Sequence, residues 1–490
     1  MANIKLVETS LRDGNQCLWA ALGVDTARTL SVAPMLERVG FKAIDFTTST
    51  HMGVAVRYKQ EDPWERIHLM HQAMPTTPLQ FLSTGFRFIS WETSSPDFMA
   101  LAYRTLMKNG IGRFALADPM NDADANVEVA RLIKRDGDAY VVGALVFTLS
   151  PIHNDAHYAE AARKMAASPD IDALYIKDPG GLLSPKRAGT LIPAILAVIG
   201  DKPLELHAHC TIGLGEASYY EAADLGVETL QGASGALGDG TSNPPLERVV
   251  ANLRALGHSV DIDDDALAQV GAYFTAMAQA EGLPMGAPMS FDATYLQHQL
   301  PGGMVGTMRR HLADHRVPQM ESAVIEEIGR VREELGWPIV MTPFAQMVMT
   351  QAVMNVTGTE RYSMIPDEVI RYALGKFGRP NQPIAPDVLD RIMSLPRTKE
   401  LALEPGAADL SDLRKRIGTH LSDEEFLLRA TMPAGLVDAM QAAGPAPRVY
   451  DPGQRPTMDL IRKLLSRTDM TRISIEKAGF KLELDSFADA

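Results

Sequence analysis

Cysteine is nearly absent: Cys17 and Cys210 are the only two among 490 residues. Two thiols make no disulfide framework, and a reducing compartment fits them. Positive charge is in deficit as well. Lys and Arg number 47 against 61 Asp and Glu, a net charge of −14. Such a chain repels phosphate backbones, so a nucleic-acid partner is not expected. No apolar run reaches the roughly 18 residues that a membrane span needs. The N-terminus, MANIKLVETSLRDG, has charges interrupting it at once and no apolar signal region, so the expected location is the cytoplasm. There are no internal repeats, and the only biased tract is Pro/Gly-rich, at 444–456.

What is present is apolar residue, 46% of the chain and enough for large cores. Eight short apolar runs, at 4–7, 41–46, 79–82, 114–117, 141–147, 173–176, 204–206 and 229–230, alternate with stretches of helical period such as 127–133 and 188–199. That alternation predicts parallel strands joined by crossover helices. Eight repeats predict closure into a (β/α)8 barrel, which leaves no unpaired edge; an open doubly wound sheet is the rival. In both, ligands meet the carboxyl ends of the strands. The eighth helix is expected over 243–256. After residue 261 helical patterns take over, at 266–281, 322–335, 343–356, 366–377 and 386–395, with Pro343, Pro366 and Pro386 as openers. The expected division is a barrel over 1–260, a helical domain over 261–443, and a tail over 444–490 holding a linker, a helix at 458–465 and a hairpin at 473–484 turning at Ala478-Gly479.

Four stretches carry chemistry. The seventh run ends Leu206-His207-Ala208-His209. Residues two apart on a strand share a face, so both imidazoles point into the barrel mouth, as metal ligands or as a hydrogen-bonded structural pair. The first run leads to Arg12 and Asp13, a rim salt bridge or, facing two histidines, a third ligand. The sixth ends Tyr175-Ile176-Lys177-Asp178. A lysine there is costly to desolvate. It is a paired lysine, a Schiff-base amine, or a lysine that CO2 has converted to an anionic carbamate. The glycine-rich loop 232–240, followed by Thr241-Ser242-Asn243, suits anion binding at a helix start or simply a tight turn.

Together these stretches resemble the biotin-dependent carboxyltransferase family: the carboxyltransferase domain of pyruvate carboxylase, the oxaloacetate decarboxylase alpha subunit and the small carboxyltransferase subunit of transcarboxylase. The resemblance rests on Leu11-Arg12-Asp13-Gly14-Asn15-Gln16, Glu61-Asp62-Pro63-Trp64-Glu65-Arg66, Ile176-Lys177-Asp178-Pro179-Gly180-Gly181-Leu182-Leu183, His207-Ala208-His209, Gly240-Thr241-Ser242-Asn243-Pro244 and Leu300-Pro301-Gly302-Gly303-Met304. It extends through Val340-Met341-Thr342-Pro343-Phe344, Ile365-Pro366-Asp367-Glu368-Val369 and Leu421-Ser422-Asp423-Glu424. It covers most of residues 4–440 in order.

The resemblance implies a divalent ion (zinc, manganese or cobalt) held by Asp13, a carbamylated Lys177, His207 and His209. It implies that Arg12 and Gln16 contact a small keto acid such as pyruvate or oxaloacetate, and that Thr342 shuttles a proton between biotin and substrate. The substrate shell departs from the family pattern. In Leu82-Ser83-Thr84-Gly85-Phe86-Arg87, Thr84 stands where an arginine holds the substrate carboxylate, with Arg87 three residues along. Trp91 falls near the family's tyrosine, Gly53 near an aspartate, and Cys210 replaces the aspartate of His-x-His-Asp. A different acceptor, or compensation by Arg87, follows. No Ala-Met-Lys-Met biotinylation motif occurs, so biotin is expected on a separate carrier protein, with a biotin carboxylase subunit as a further partner and a homo-oligomer, dimer or higher, as the assembly. The tail, Met458 to Leu484, is similar to the segment preceding the biotinyl domain in carrier proteins and is expected to dock the carrier or the carboxylase subunit. Two alternatives remain. One is a metal-dependent lyase or aldolase like the 3-hydroxy-3-methylglutaryl-CoA lyase group, from which Lys177 distinguishes the chain. The other is a non-catalytic assembly subunit.

Overall fold

The computed structural model describes residues 2–90, 92–314, 316–378, 380–450, 472–477 and 480–485. Eight parallel strands, β1 (Lys5–Glu8), β2 (Ala43–Thr48), β3 (Leu79–Ser83), β4 (Ile111–Leu116), β5 (Tyr140–Val146), β6 (Ala173–Asp178), β7 (Leu204–Ala208) and β8 (Thr229–Gly232), close into a barrel in chain order. Lys5 to Glu8 pair with Thr229 to Gly232 and complete the ring. Helices follow the strands and bury the outward faces. Phe81, Phe114, Leu145, Leu174 and Ile176 pack with helix residues such as Leu106, Ile133, Tyr158 and Ile192.

The inward face is divided. Leu82, Ala115, Ala117, Val142, Ala144, Val146, Ala173 and Tyr175 form an apolar cluster inside the barrel, joined by Ile339 and Met341 from far along the chain. The opposite side is polar. Arg113 on β4 and Glu205 on β7 are not on neighbouring strands, so their 2.6 Å ion pair crosses the interior.

The later helices do not form one body. Gly302–Asp314, Glu321–Glu334, Phe344–Thr357, Asp367–Ala373, Pro386–Ser394 and Pro396–Ala402 share a second core that includes Met308, Ile328, Phe344, Met349, Ile370 and Leu401. Asp264–Glu281, Asp423–Thr431 and Ala434–Ala443 pack with the barrel core instead, through Phe274, Phe426, Leu427 and Val437. Residues 446–450 also lie on the barrel: the Ala446 amide and Arg448 bond Glu65, and Arg28 stacks on the Tyr450 ring. The second core covers the carboxyl ends of the strands. Buried Arg332 donates to Thr148 Oγ1 at 3.1 Å, and Gln299 Oε1 accepts from Thr148 Oγ1 and the Leu149 amide.

Two openers differ from expectation. Pro343 and Pro366 are N-cap residues, one position outside their helices, and only Pro386 occupies the first turn. The hairpin forms from β9 (Arg472–Lys477) and β10 (Phe480–Asp485), antiparallel with Ile475 opposite Leu482. Its turn, Ala478-Gly479, and the expected helix at 458–465 lie outside the described residues. Among the described residues, no helix is long and apolar enough to cross a membrane.

Candidate metal centre

After β1 the chain enters a wide π-helical turn, Ser10–Gly14, whose Asp13 and Gly14 amides both return to the Thr9 carbonyl. The turn carries Arg12 and Asp13 over the barrel mouth. Gly14 lets it nest against the loop after β8, since a Cβ there would stand 3.0 Å from Leu237 Cβ and 3.2 Å from its carbonyl oxygen. Arg12 is locked between two carboxylates, donating from Nε to Asp45 Oδ2 at 2.6 Å and pairing with Asp13 and Asp45 through its terminal nitrogens. Asn243 ties the strand ends together. Its Oδ1 accepts from Thr9 Oγ1 at 2.8 Å and its Nδ2 donates to the Ala208 carbonyl at 3.0 Å.

Three donor atoms converge at the mouth. Asp13 Oδ2 lies 3.0 Å from His207 Nε2 and 3.0 Å from His209 Nε2, and the two nitrogens are 3.2 Å apart. Lys177 Nζ stands behind them, 3.2 Å from His207 Nε2. Ligands held about 2.0–2.1 Å from one ion are themselves separated by about 3.0–3.4 Å, so the set fits a divalent cation. Asp13 Oδ2 is buried and faces the two imidazole Nε2 atoms, an arrangement that a cation between the three would satisfy in place of a proton. The far side of each imidazole is engaged as metal ligands require. His209 Nδ1 lies 2.7 Å from the Thr241 carbonyl, which only accepts, so Nδ1 carries hydrogen and Nε2 faces Asp13. His207 Nδ1 lies 3.0 Å from Gln231 Oε1.

Burial alone would raise the Asp13 carboxyl, but Arg12 and both histidines hold it well below the usual carboxylate range. Burial and the neighbouring Lys177 charge push His207 down to about 3. For His209 burial works in the same direction, yet Asp13 and Cys17 overcome it and hold the ring up to about 10. Burial depresses the Lys177 ammonium; Asp13 opposes this and Arg12 adds to it, with a net lowering. A lysine driven toward its neutral amine is a nucleophile.

Cys17 Sγ stands 3.8 Å from His209 Nδ1 and 4.0 Å from Asp13 Oδ1, so Asp13, Cys17 and His209 make a second possible donor group. The histidine nitrogen near Cys17 Sγ is Nδ1, which already faces Thr241, whereas the set on the Nε2 side leaves that contact intact.

Asp13, Lys177, His207, His209 and Arg12 thus share one site. Gln16 is exposed on the short helix Asn15–Trp19. Thr84 and Arg87 follow β3. Arg87 is buried, donates to the Phe377 carbonyl at 3.1 Å and, more weakly, to the Thr84 carbonyl at 3.4 Å, and its Nε has no protein partner. Burial lowers its pKa, opposed by Asp118. Thr342 is exposed and adjoins Met341 of the cluster inside the barrel. No hydrogen bond or ion pair joins Gln16, Thr84, Arg87 or Thr342 to the donor trio among the described residues. Trp91 lies outside them.

Sequence reasoning missed Asp45, His51, Gln231 and Cys17. Asp45 had a signal, a carboxylate inside the apolar run 41–46. His51 had none. It follows β2, only 4% exposed, and neither ring nitrogen makes a hydrogen bond of good geometry. Burial, with Arg12 and Arg66 close by, keeps it neutral, at about 3. The Tyr175 hydroxyl, on β6, is likewise buried and unpaired.

Residues 296–477 match a family described as the conserved carboxylase domain, and residues 112–273 match the family described as HMGL-like. A pyruvate carboxylase subunit of Methanothermobacter thermautotrophicus is 31% identical over 471 residues, covering 94% of this chain and 82% of that protein. Its counterpart in Methanocaldococcus jannaschii is 33% identical, covering 80% and 68%. The 2-oxoglutarate carboxylase large subunit of Hydrogenobacter thermophilus is 30% identical, covering 88% and 67%. The carboxyl transferase domain of Rhizobium etli pyruvate carboxylase, solved with 3-bromopyruvate, shares the fold, with a TM-score of 0.82 at 22% identity over 92% of this chain and 80% of that one.

Proposed function

Because the chain belongs to the carboxyltransferase family that includes these two pyruvate carboxylase subunits, we propose that it moves CO2 between carboxybiotin on a separate carrier protein and a small carbon acid, at a divalent metal centre. The single observation that carries the metal reading is the convergence of Asp13 Oδ2, His207 Nε2 and His209 Nε2 within 3.0–3.2 Å, with Lys177 Nζ behind them.

Lys177 is the fourth ligand once carbamylated. Its neutral amine forms a C–N bond to CO2 while one C=O electron pair moves onto oxygen, and one N–H proton leaves to solvent. The product is an anionic carbamate. When bound, the ion supplies positive charge against which an enolate oxygen develops. With His209 neutral as a ligand, the ion-paired charges of the barrel interior cancel: Lys42, Arg113 and Arg12 face Glu205, Asp45 and Asp13. Added to this neutral frame, a divalent cation and one carbamate leave one net positive charge for an enolate.

Arg12, held by two carboxylates, orients Asp13 and offers little free charge to substrate. Thr342 takes the acceptor's α-proton while giving its own hydroxyl proton to the biotin nitrogen that CO2 leaves, so no water is needed. Gln16, Thr84, Arg87 and His51 line the acceptor side. With a neutral imidazole and a threonine there, and with Arg87 donating to the Phe377 and Thr84 carbonyls, pyruvate is not the preferred acceptor. A high kcat/KM for pyruvate with purified carboxybiotin donor would overturn that statement. The match of residues 112–273 also suits a metal-dependent carbon–carbon lyase; the carboxylase-domain match of 296–477 and the placement of Lys177 favour carboxyl transfer.

Elemental analysis of the native protein beside Lys177→Ala, with folding checked by circular dichroism, tests the metal site. The expected result is about one tightly held transition metal per chain in the native protein and loss of that metal in the variant. A native protein without metal would sink the metal-centred reading.

A further inference from the structure

The polar groups inside the barrel form one circuit. Starting at Asp13, it runs through Arg12 to Asp45, whose Oδ1 accepts from Gln80 Nε2 at 3.1 Å. Gln80 Oε1 accepts from Arg113 Nε at 2.7 Å, and Arg113 Nη2 crosses to Glu205 Oε2 at 2.6 Å. Gln231 Nε2 donates to the same Glu205 oxygen at 3.1 Å, and Gln231 Oε1 faces His207 Nδ1 at 3.0 Å. His207 Nε2 then returns to Asp13 Oδ2 at 3.0 Å. Lys42 holds the other Glu205 oxygen at 2.8 Å, toward the amino end of the barrel.

The direction of each hydrogen bond follows from chemistry alone. Two cations keep Glu205 a carboxylate, which only accepts. Gln231 must therefore turn its amide nitrogen to Glu205 and its carbonyl oxygen to His207. An oxygen there accepts only from Nδ1–H, whereas Asp13 Oδ2, 3.0 Å from Nε2, competes for the ring's one proton when no cation is bound; Lys177 Nζ and Asn243 Nδ2, 3.2 and 3.3 Å from Nε2, favour the lone pair on that side, beside Asp13 and His209. We propose that Gln231, oriented by Glu205, is a positioning residue that sets the tautomer of His207 and thereby prepares the metal centre. The proposal deepens the metal reading above and rests on it for its affinity arm, but the tautomer itself is a property of the chain without metal.

Two substitutions at Gln231 separate positioning from packing. Gln231→Met keeps the volume and removes the acceptor. Gln231→Glu keeps an acceptor for Nδ1–H but sets a second carboxyl group beside Glu205, which harms packing and stability more. The expected result is that Gln231→Met weakens zinc binding, measured by chelator competition, by roughly 10- to 100-fold, while Gln231→Glu, which keeps an acceptor for Nδ1–H, loses clearly less than that. Imidazole 15N NMR of the metal-free protein is expected to show His207 as Nδ1–H in native and Gln231→Glu protein, with an Nε2–H population in Gln231→Met. Native zinc affinity in Gln231→Met, or an equal loss in both variants, would overturn the proposal. If the native protein binds no metal, the reading above fails separately, and the NMR comparison still decides this one: an unchanged Nδ1–H signal in Gln231→Met refutes it.

Discussion

His51 offers a test in which stability and activity move in opposite directions. Neither buried ring nitrogen makes a hydrogen bond of good geometry, with only a weak contact to the Arg12 backbone, and the ring is neutral. A buried polar group left unpaired costs about 1–3 kcal/mol, whereas an apolar side chain of similar volume pays no such penalty. His51→Leu should therefore stabilise the metal-free protein by about 1–3 kcal/mol, seen as a higher urea midpoint with an unchanged slope. If the imidazole instead bonds the acceptor acid, the same change leaves a polar substrate group unpaired in the complex. That loss is again about 1–3 kcal/mol, or roughly 5- to 150-fold in kcat/KM for carboxyl transfer from a carboxybiotin donor. Metal content should not change, because no donor atom is removed. A variant that is less stable than native by more than about 1 kcal/mol and keeps native kcat/KM would refute the reasoning, since His51 would then be a satisfied structural residue.

Three other outcomes are expected. Burial raises the Glu8 carboxyl from an ordinary 4.5 to about 8, against two bonds from the Ser10 amide. The native state thus binds the extra proton, so the stability it confers is complete below pH 4.5 and is lost as pH rises through 8. Between these limits native protein should lose stability relative to Glu8→Gln by at most about 1.4 kcal/mol per pH unit; parallel stability curves in urea titrations would contradict this. Thr342→Ala should lower kcat by roughly 10²- to 10⁴-fold with metal retained, and Thr342→Ser should recover most of it; native turnover in the alanine variant would remove Thr342 from the proton path. Deleting 451–490, which keeps the contacts of residues 446–450 with the barrel, should abolish co-purification with a biotinylated carrier while leaving the metal centre loaded. Undiminished co-purification would relieve the tail of that role.

Much of the molecule was legible along the chain because its signals are local. Alternation of short apolar runs with helical periods is a property of neighbouring residues, and it located all eight strands, although β4 begins at Ile111 and not at 114. The two-residue spacing of His207 and His209 required only that they share a strand face. Arg12, Asp13 and Lys177 stood at strand ends, where a barrel gathers its chemistry.

Only the tertiary structure decided what meets across space. Arg113 and Glu205 lie on strands that are not neighbours, and nothing in sequence indicates that one neutralises the other inside the barrel. His51 looked like any loop histidine until folding buried it beside Arg12. The helices Asp423–Thr431 and Ala434–Ala443 have the same amphipathic pattern as those before them, yet they pack on the barrel, while Phe344–Thr357 builds a second core. An apolar stripe requires burial and does not name its partner surface. The polar interior goes further: each of its groups is costly alone and tolerable only because closure of the barrel supplies its partner.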